Sequence, residues 1–176
     1  MKNKEFKVFL AIIALIVTLG VLLGGYSLYK KYGIQGPLIK ELSSHEMIEK
    51  AEIDRKNDKY IINLQLNKVE NIQKQYTEVE DIINTRYKPG DYDLIITGRP
   101  NEELEQFYEQ LQPAVYEALA DNRYLWLSDH IENQAAGKRI AYRMFVDEKR
   151  LYIQIENNDN FFYKIINRNT EILNND

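Results

Sequence analysis

Few side chains in this sequence could do acid–base chemistry near neutral pH. The chain has two histidines, His45 and His130, and no cysteine, which excludes a thiolate nucleophile and a thiolate metal site. Ser128, Asp129 and His130 are consecutive and are the residue types of a catalytic triad. Adjacent residues on a helix point about 100° apart, however, so these three cannot form the required line of nucleophile, base and acid. The sequence therefore predicts no catalytic residue here.

Oxygen-rich segments are the other candidates for chemistry. Residues 156–161 read ENNDNF, but a calcium site needs about six to eight oxygens around one ion, and hairpin loops favour Asn and Asp for their backbone conformation. Acidic groups at 78–81 and 102–105 could be the paired carboxylates of a glycosidase, although acid-rich helix faces usually face solvent. We therefore predict a turn at 156–161, and no metal or cofactor.

A long apolar segment near the start predicts where the protein is located. Val8 to Tyr29 carry no charge, and 22 helical residues at about 1.5 Å each span roughly 33 Å, against a bilayer core of about 30 Å. A signal peptide has a shorter apolar region of about 7 to 15 residues and a small-x-small cleavage site, which Leu23 disrupts ahead of Gly25. We predict an uncleaved transmembrane anchor over residues 8–29, in contact with the lipid bilayer, after a short cytoplasmic tail over residues 1–7.

The flanking charges predict the orientation of this anchor. Three lysines precede it and two follow it, and the more positive flank tends to stay in the cytoplasm. The abundance of Ile, Lys, Asn and Tyr is typical of an AT-rich bacterial genome. We therefore expect a single-pass protein of the bacterial cell membrane with an extracytoplasmic C-terminal domain. Gly20 and Gly24 have the GxxxG spacing that lets two membrane helices approach closely, which leaves a homodimer open.

The chain beyond the anchor is acidic. The first 31 residues hold five of the 23 basic residues and one of the 27 acidic ones, so 18 basic and 26 acidic residues remain and the net charge is −8. This is the wrong sign for binding nucleic acid. Residues 30–45 contain two glycines and one proline without a clear period, and we predict a stalk there. Residues 46–176 then form one α+β domain.

Hydrophobic periodicity predicts the elements of this domain. Alternating residues indicate a hairpin that turns at 56–58, and a helix then begins at Asn67, with Glu70 completing a pattern like a capping box. A central strand over 92–97 precedes a helix capped by Asn101, which Pro113 should kink or break. A further helix ends with Gly137 at its C′ position, and three antiparallel strands follow. The order is ββαβααβββ, a mostly antiparallel sheet with helices packed on it.

The last strands predict a candidate interaction surface. If 148–149 form a hairpin loop, alternate residues from Tyr142 to Ile155 face the core, and Arg143, Phe145, Tyr152 and Tyr163 share the opposite face. Either a helix covers this face, most readily the one over 124–136, or the face binds another envelope protein. We predict a non-enzymatic interaction module of an envelope assembly. The alternatives are a cell-wall hydrolase whose carboxylates the fold brings together, and a small-ligand or signal-sensing domain.

Overall fold

The computed structural model describes residue 9 and residues 12–22 and 35–168. The chain divides into two compact units, Met1–Glu41 and Leu42–Asp176. In the first unit residues 12–22 are helical (α1) and exposed, and a side chain added at Gly20 would meet no neighbouring atom. Within the described ranges, no helix has both the length and the apolar character needed to cross a membrane. The predicted tail and the rest of the predicted anchor, including Gly24, lie outside the described residues.

A short helix lies within the predicted stalk. Helix α2 is Gly36–Ser43. Pro37 lies in its first turn, where the missing N–H has no helical partner to lose, and Leu38 and Leu42 are fully buried four residues apart.

The first sheet contains strands β1 (Ile48–Lys56), β2 (Lys59–Leu66) and β3 (Tyr92–Thr97). Strands β1 and β2 form the predicted hairpin, and both turn residues, Asn57 and Asp58, have positive φ angles of 49° and 64°. This is the backbone that a two-residue type I′ turn requires. Strand β3 pairs parallel with β2.

Helix α3 (Ile72–Asn84) forms the crossover between these parallel strands. The Asn71 side chain accepts a hydrogen bond from the Lys74 N–H at 3.0 Å and caps the helix. The predicted start at Asn67 is wrong, because the Asn67 side chain instead donates to the Glu46 carbonyl at 2.9 Å. The predicted apolar stripe is buried as expected: Val69, Ile72, Tyr76, Val79 and Ile83.

The second sheet contains strands β4 (Ala141–Val146), β5 (Arg150–Asn157) and β6 (Asn160–Asn167), all antiparallel. Its register is the predicted one, with Val146 opposite Leu151 and Phe145 opposite Tyr152. The predicted turn at 156–161 is also present, and Asn158 has a φ of 49°. The element order ββαβααβββ is confirmed, but its strands form two three-stranded sheets.

Helices α4 (Glu102–Asp121) and α5 (Tyr124–Ala135) pack on one face of the second sheet. Pro113 does not break α4, because Leu111 and Val115 on either side of it are fully buried and hold both halves against the same core. Gly137 has a φ of 76°, as its predicted place just after the C-cap of α5 requires.

A backbone bridge joins the two sheets between the segment that follows β3 and the start of β6. The Phe161 N–H donates to the Arg99 carbonyl at 3.1 Å in an isolated antiparallel bridge. Gly98 permits this approach, since a Cβ there would overlap the carbonyl oxygen of Phe161. The strands therefore follow the spatial order β1-β2-β3, then β6-β5-β4.

Candidate interaction cleft

The structure buries half of the predicted interaction surface. Tyr152 is fully buried and Tyr163 is 4% exposed. Helix α3 covers Tyr152, and its Tyr76 ring meets the Tyr152 ring edge-on at 5.8 Å between centroids. Tyr163 contacts the segment 67–69 that leads into this helix. Helix α5 lies on the opposite face, where Leu127 joins the core. A docking surface that includes Tyr152 and Tyr163 is therefore not formed. The expectation that the helix over 124–136 covers this face is also wrong, because that helix packs on the opposite face.

Two polar side chains under α3 fix its position on the second sheet. The buried Gln154 donates to the Val69 carbonyl at 2.6 Å and accepts from the Ile72 N–H at 3.3 Å. The Tyr163 hydroxyl accepts from the Val69 N–H at 2.9 Å and donates to the Asn67 carbonyl at 3.2 Å. These bonds satisfy the backbone groups that lead into the helix. Burial raises the pKa of Tyr163 to about 12.

Arg143 and Phe145, the other two residues of the predicted surface, lie on the outer strand β4. Arg143 is exposed and pairs with the Glu156 carboxylate at 3.4 Å, while Lys68 pairs with the same carboxylate at 2.7 Å. Phe145 is half-buried. The exposed part of the predicted surface is thus a strip along the edge of the second sheet.

A cleft separates β3 from β6 away from the bridge between Arg99 and Phe161. It encloses a cavity of about 250 Å³. The early residues of β3 and the late residues of β6 form its walls, helix α3 and the start of β5 form its floor, and the turn at 89–90 lies at one end. We refer to this space as the inter-sheet cleft.

The backbone of β3 turns half of its polar groups towards this cleft. The Asp91 carbonyl accepts a hydrogen bond from the Tyr60 N–H of β2 at 2.9 Å. Because backbone groups alternate sides along a strand, those of Tyr92, Leu94 and Ile96 point away from β2 and towards β6.

The facing edge of β6 is arranged in the same way. Its Phe161 N–H points across the cleft to the Arg99 carbonyl, so alternation turns the backbone groups of Tyr163, Ile165 and Asn167 in that direction. Over the part of the chain that the structure describes, neither this set nor the one on β3 has a backbone partner. The cleft therefore has an unpaired strand edge on each side.

An ion pair crosses the floor of the cleft. The Arg150 guanidinium binds both carboxylate oxygens of Glu80, and the Nη1–Oε2 distance is 3.0 Å. The two side chains are only 15% and 19% exposed, and Arg150 lies 4.5 Å above the Tyr76 ring. Burial opposes the charge of Arg150, but the hydrogen bonds to Glu80 outweigh it and raise the arginine pKa. The Arg150 Nε is buried and has no hydrogen-bond partner in the described structure.

Asp147 orients Arg150 from the preceding loop. Its carboxylate accepts hydrogen bonds from the Lys149 and Arg150 N–H groups, both at 2.7 Å, and from the Tyr152 hydroxyl at 2.8 Å. Burial would raise the pKa of Asp147, but these hydrogen bonds outweigh it and the pKa is lowered. No sequence motif marked Arg150, Glu80 or Asp147 as partners, since they come together only through the packing of α3 on β5.

The other residues with possible chemistry lie outside the cleft. The Ser128 hydroxyl is 3.2 Å from the Tyr142 hydroxyl, and His130 stacks on Trp126 with 5.4 Å between ring centroids. His45 lies between α2 and β1. Among the described residues, no group of three or more His, Cys, Asp or Glu side chains is placed to hold a metal ion.

Comparisons with known proteins do not assign this chain to a group. No family model matches it, and no curated protein or solved structure is significantly similar to it. The geometry of the inter-sheet cleft is therefore the strongest guide to function.

Proposed function

We propose that this protein is a membrane-anchored, non-enzymatic interaction module on the outer face of a bacterial cytoplasmic membrane. It binds an extended segment of another envelope protein in the inter-sheet cleft. The observation that carries this proposal is the pair of facing, unpaired edges on β3 and β6. Unpaired strand edges are templates for another strand, and several classes of protein bind peptides by adding them to such an edge.

The two edges run antiparallel to each other, and this determines how a bound segment is oriented relative to each of them. A strand between them runs parallel to one edge and antiparallel to the other, because β3 and β6 bridge in antiparallel fashion. Its side chains alternate between solvent and the floor, where they meet Tyr76, Glu80 and Arg150. The cavity of about 250 Å³ is smaller than the roughly 300–1,000 Å³ typical of small-molecule sites. It suits individual side chains of an extended segment.

The carboxylates of the cleft favour binding over hydrolysis. Glu80 is held by Arg150, and Asp93 is 54% exposed and lies 3.5 Å from the Lys59 ammonium. A glycosidase needs one carboxylic acid and one carboxylate that face the same bond, whereas both of these groups already pair with cations. A small-ligand sensing domain remains the second candidate, favoured by the enclosed floor and the unpartnered Arg150 Nε.

The membrane location rests on the sequence. The uncharged run Val8 to Tyr29 and the lysines on its short side support an anchor with the domain outside the cytoplasm. A tethered domain meets its partner at a raised effective concentration, so a short strand contact suffices for association.

A peptide selection tests the proposal. Random seven-residue peptides displayed on phage would be selected against the full chain in lipid nanodiscs, and binding would then be measured to Leu94→Pro and Ile165→Pro variants. Each proline removes an N–H that faces the cleft and leaves the ladder to the neighbouring strand in place. We expect each change to weaken binding at least tenfold.

Ile53→Pro is the matched control, because Ile53 and Leu94 lie on either side of Ile62 in the register of the first sheet. The Ile53 N–H faces the outer edge of β1. Peptides that bind equally to all three variants, or a selection that yields no binder, would count against strand addition in the cleft.

A further inference from the structure

The two outer edges of the assembled strands differ in how they are protected. Strand β1 has six charged residues among its nine and an irregular register between Ile48 and Lys50. Charges and bulges of this kind keep an edge from pairing with other chains. Strand β4 reads AYRMFV, with one charge, no proline and a regular register. It lacks each of the features that protect β1.

The backbone of β4 presents a regular set of groups to the outside. The Asp147 N–H donates to the Arg150 carbonyl at 3.0 Å. This bond shows which residues of β4 turn their backbone groups towards β5. By alternation, the N–H and C=O groups of Tyr142, Met144 and Val146 point away from β5. None of these has a backbone partner within the described ranges.

We infer that this edge binds a second copy of the same chain. Two β4 strands pair antiparallel about a twofold axis at Met144, and the two sheets become one six-stranded sheet across the dimer. In this register Met144 faces Met144 of the second copy, and Tyr142 faces Val146. A twofold interface requires a self-complementary patch, and an edge with apolar residues spaced evenly about its centre meets that requirement.

The single charge on the strand also fits this register. Arg143 of one copy lies directly opposite Phe145 of the other, so each guanidinium lies beside an aromatic ring, and the two arginines are diagonal neighbours about 7–8 Å apart rather than directly opposed. Arg143 already pairs with Glu156 at 3.4 Å, which balances its charge. Beyond the strand ends, Arg139 comes near Glu148 and Lys149 of the second copy, one attraction and one repulsion. The edge therefore carries no strong charge against pairing with itself.

Cysteine cross-linking tests the register directly, since the chain has no cysteine of its own. Opposed residues in a hydrogen-bonded antiparallel pair have Cα atoms about 5.5 Å apart, within the roughly 4.4–6.8 Å of a disulfide. The full chain carrying Met144→Cys would be oxidised in native membranes. We expect most of it to become a covalent dimer.

Two variants control for collisions in the membrane. Phe145→Cys places its thiols two residues out of register, and Ile53→Cys places them on the protected edge of β1; both should cross-link at least fivefold less. Equal cross-linking of all three variants, or none of Met144→Cys, would overturn the proposal. Adding Leu94→Pro to Met144→Cys should leave the dimer unchanged, which separates this interface from the inter-sheet cleft.

Discussion

The ion pair between Glu80 and Arg150 offers a quantitative test of the cleft floor. Exposed ion pairs contribute about 0–1 kcal/mol, whereas removing one partner of a fully buried pair costs about 3–5 kcal/mol. The two side chains are 15% and 19% exposed, which places them nearer the buried limit. We therefore expect Glu80→Gln to lower the free energy of unfolding by about 2–3 kcal/mol, because it leaves the Arg150 charge poorly compensated.

A double-mutant cycle isolates this interaction from changes in packing. The free energy of unfolding would be measured by urea denaturation, followed by circular dichroism, for the unchanged chain, Glu80→Gln, Arg150→Met and the double variant. Replacing both members removes the uncompensated charge. The double variant should therefore lose about 2 kcal/mol less free energy of unfolding than the two single variants lose in sum.

Additive effects, or a loss below about 0.5 kcal/mol for Glu80→Gln, would refute this reasoning. The pair would then behave as a solvated surface contact. The floor of the cleft would be more open to water than its geometry indicates.

Four further outcomes are expected. Gly98→Ala should destabilise by more than about 2 kcal/mol in urea denaturation, because its Cβ would overlap the Phe161 carbonyl, whereas Gly137→Ala should cost only about 1 kcal/mol for its positive φ. Gln154→Leu should cost about 2–4 kcal/mol by the same assay, since it leaves two buried backbone groups unsatisfied. Burial raises the pKa of Tyr76 to about 12, above the roughly 10 of an unfolded chain, so its contribution to stability is complete below pH about 10 and is lost towards pH about 12; the free energy of unfolding should therefore fall less between these pH values in a Tyr76→Phe variant than in the unchanged chain. Protease added to cells stripped of their wall should remove the domain, and protection would mean that the topology is inverted.

Local patterns in the sequence were sufficient for much of the fold. The loop at 148–149 fixed the register of β4 and β5, because a two-residue hairpin permits only one pairing and the apolar face must be buried. The apolar stripe from Val69 to Ile83 identified α3, because apolar residues at steps of three and four form one helix face that must be buried.

The arrangement of the elements could not be predicted in this way. The hydrophobic pattern of β3 is the same whether the strand pairs parallel or antiparallel. The sequence therefore could not predict that β3 lies beside β2 or that the strands divide into two sheets. The crossover between β2 and β3 brings α3 over Tyr152, and this long-range placement creates the cleft floor. Gln154 looked like an ordinary polar strand residue, although it is fully buried and holds the start of α3.

Amide hydrogen exchange at Leu94 and Ile165 tests the central claim most directly. Both N–H groups face the inter-sheet cleft and lack a partner in the described structure, so they should exchange rapidly in the full chain in nanodiscs. Binding of a selected peptide should slow the exchange of both amides at least tenfold while the Ile53 amide on β1 remains unchanged. Slow exchange of Leu94 and Ile165 before any peptide is added, or no protection of either amide when the peptide binds, would contradict the account.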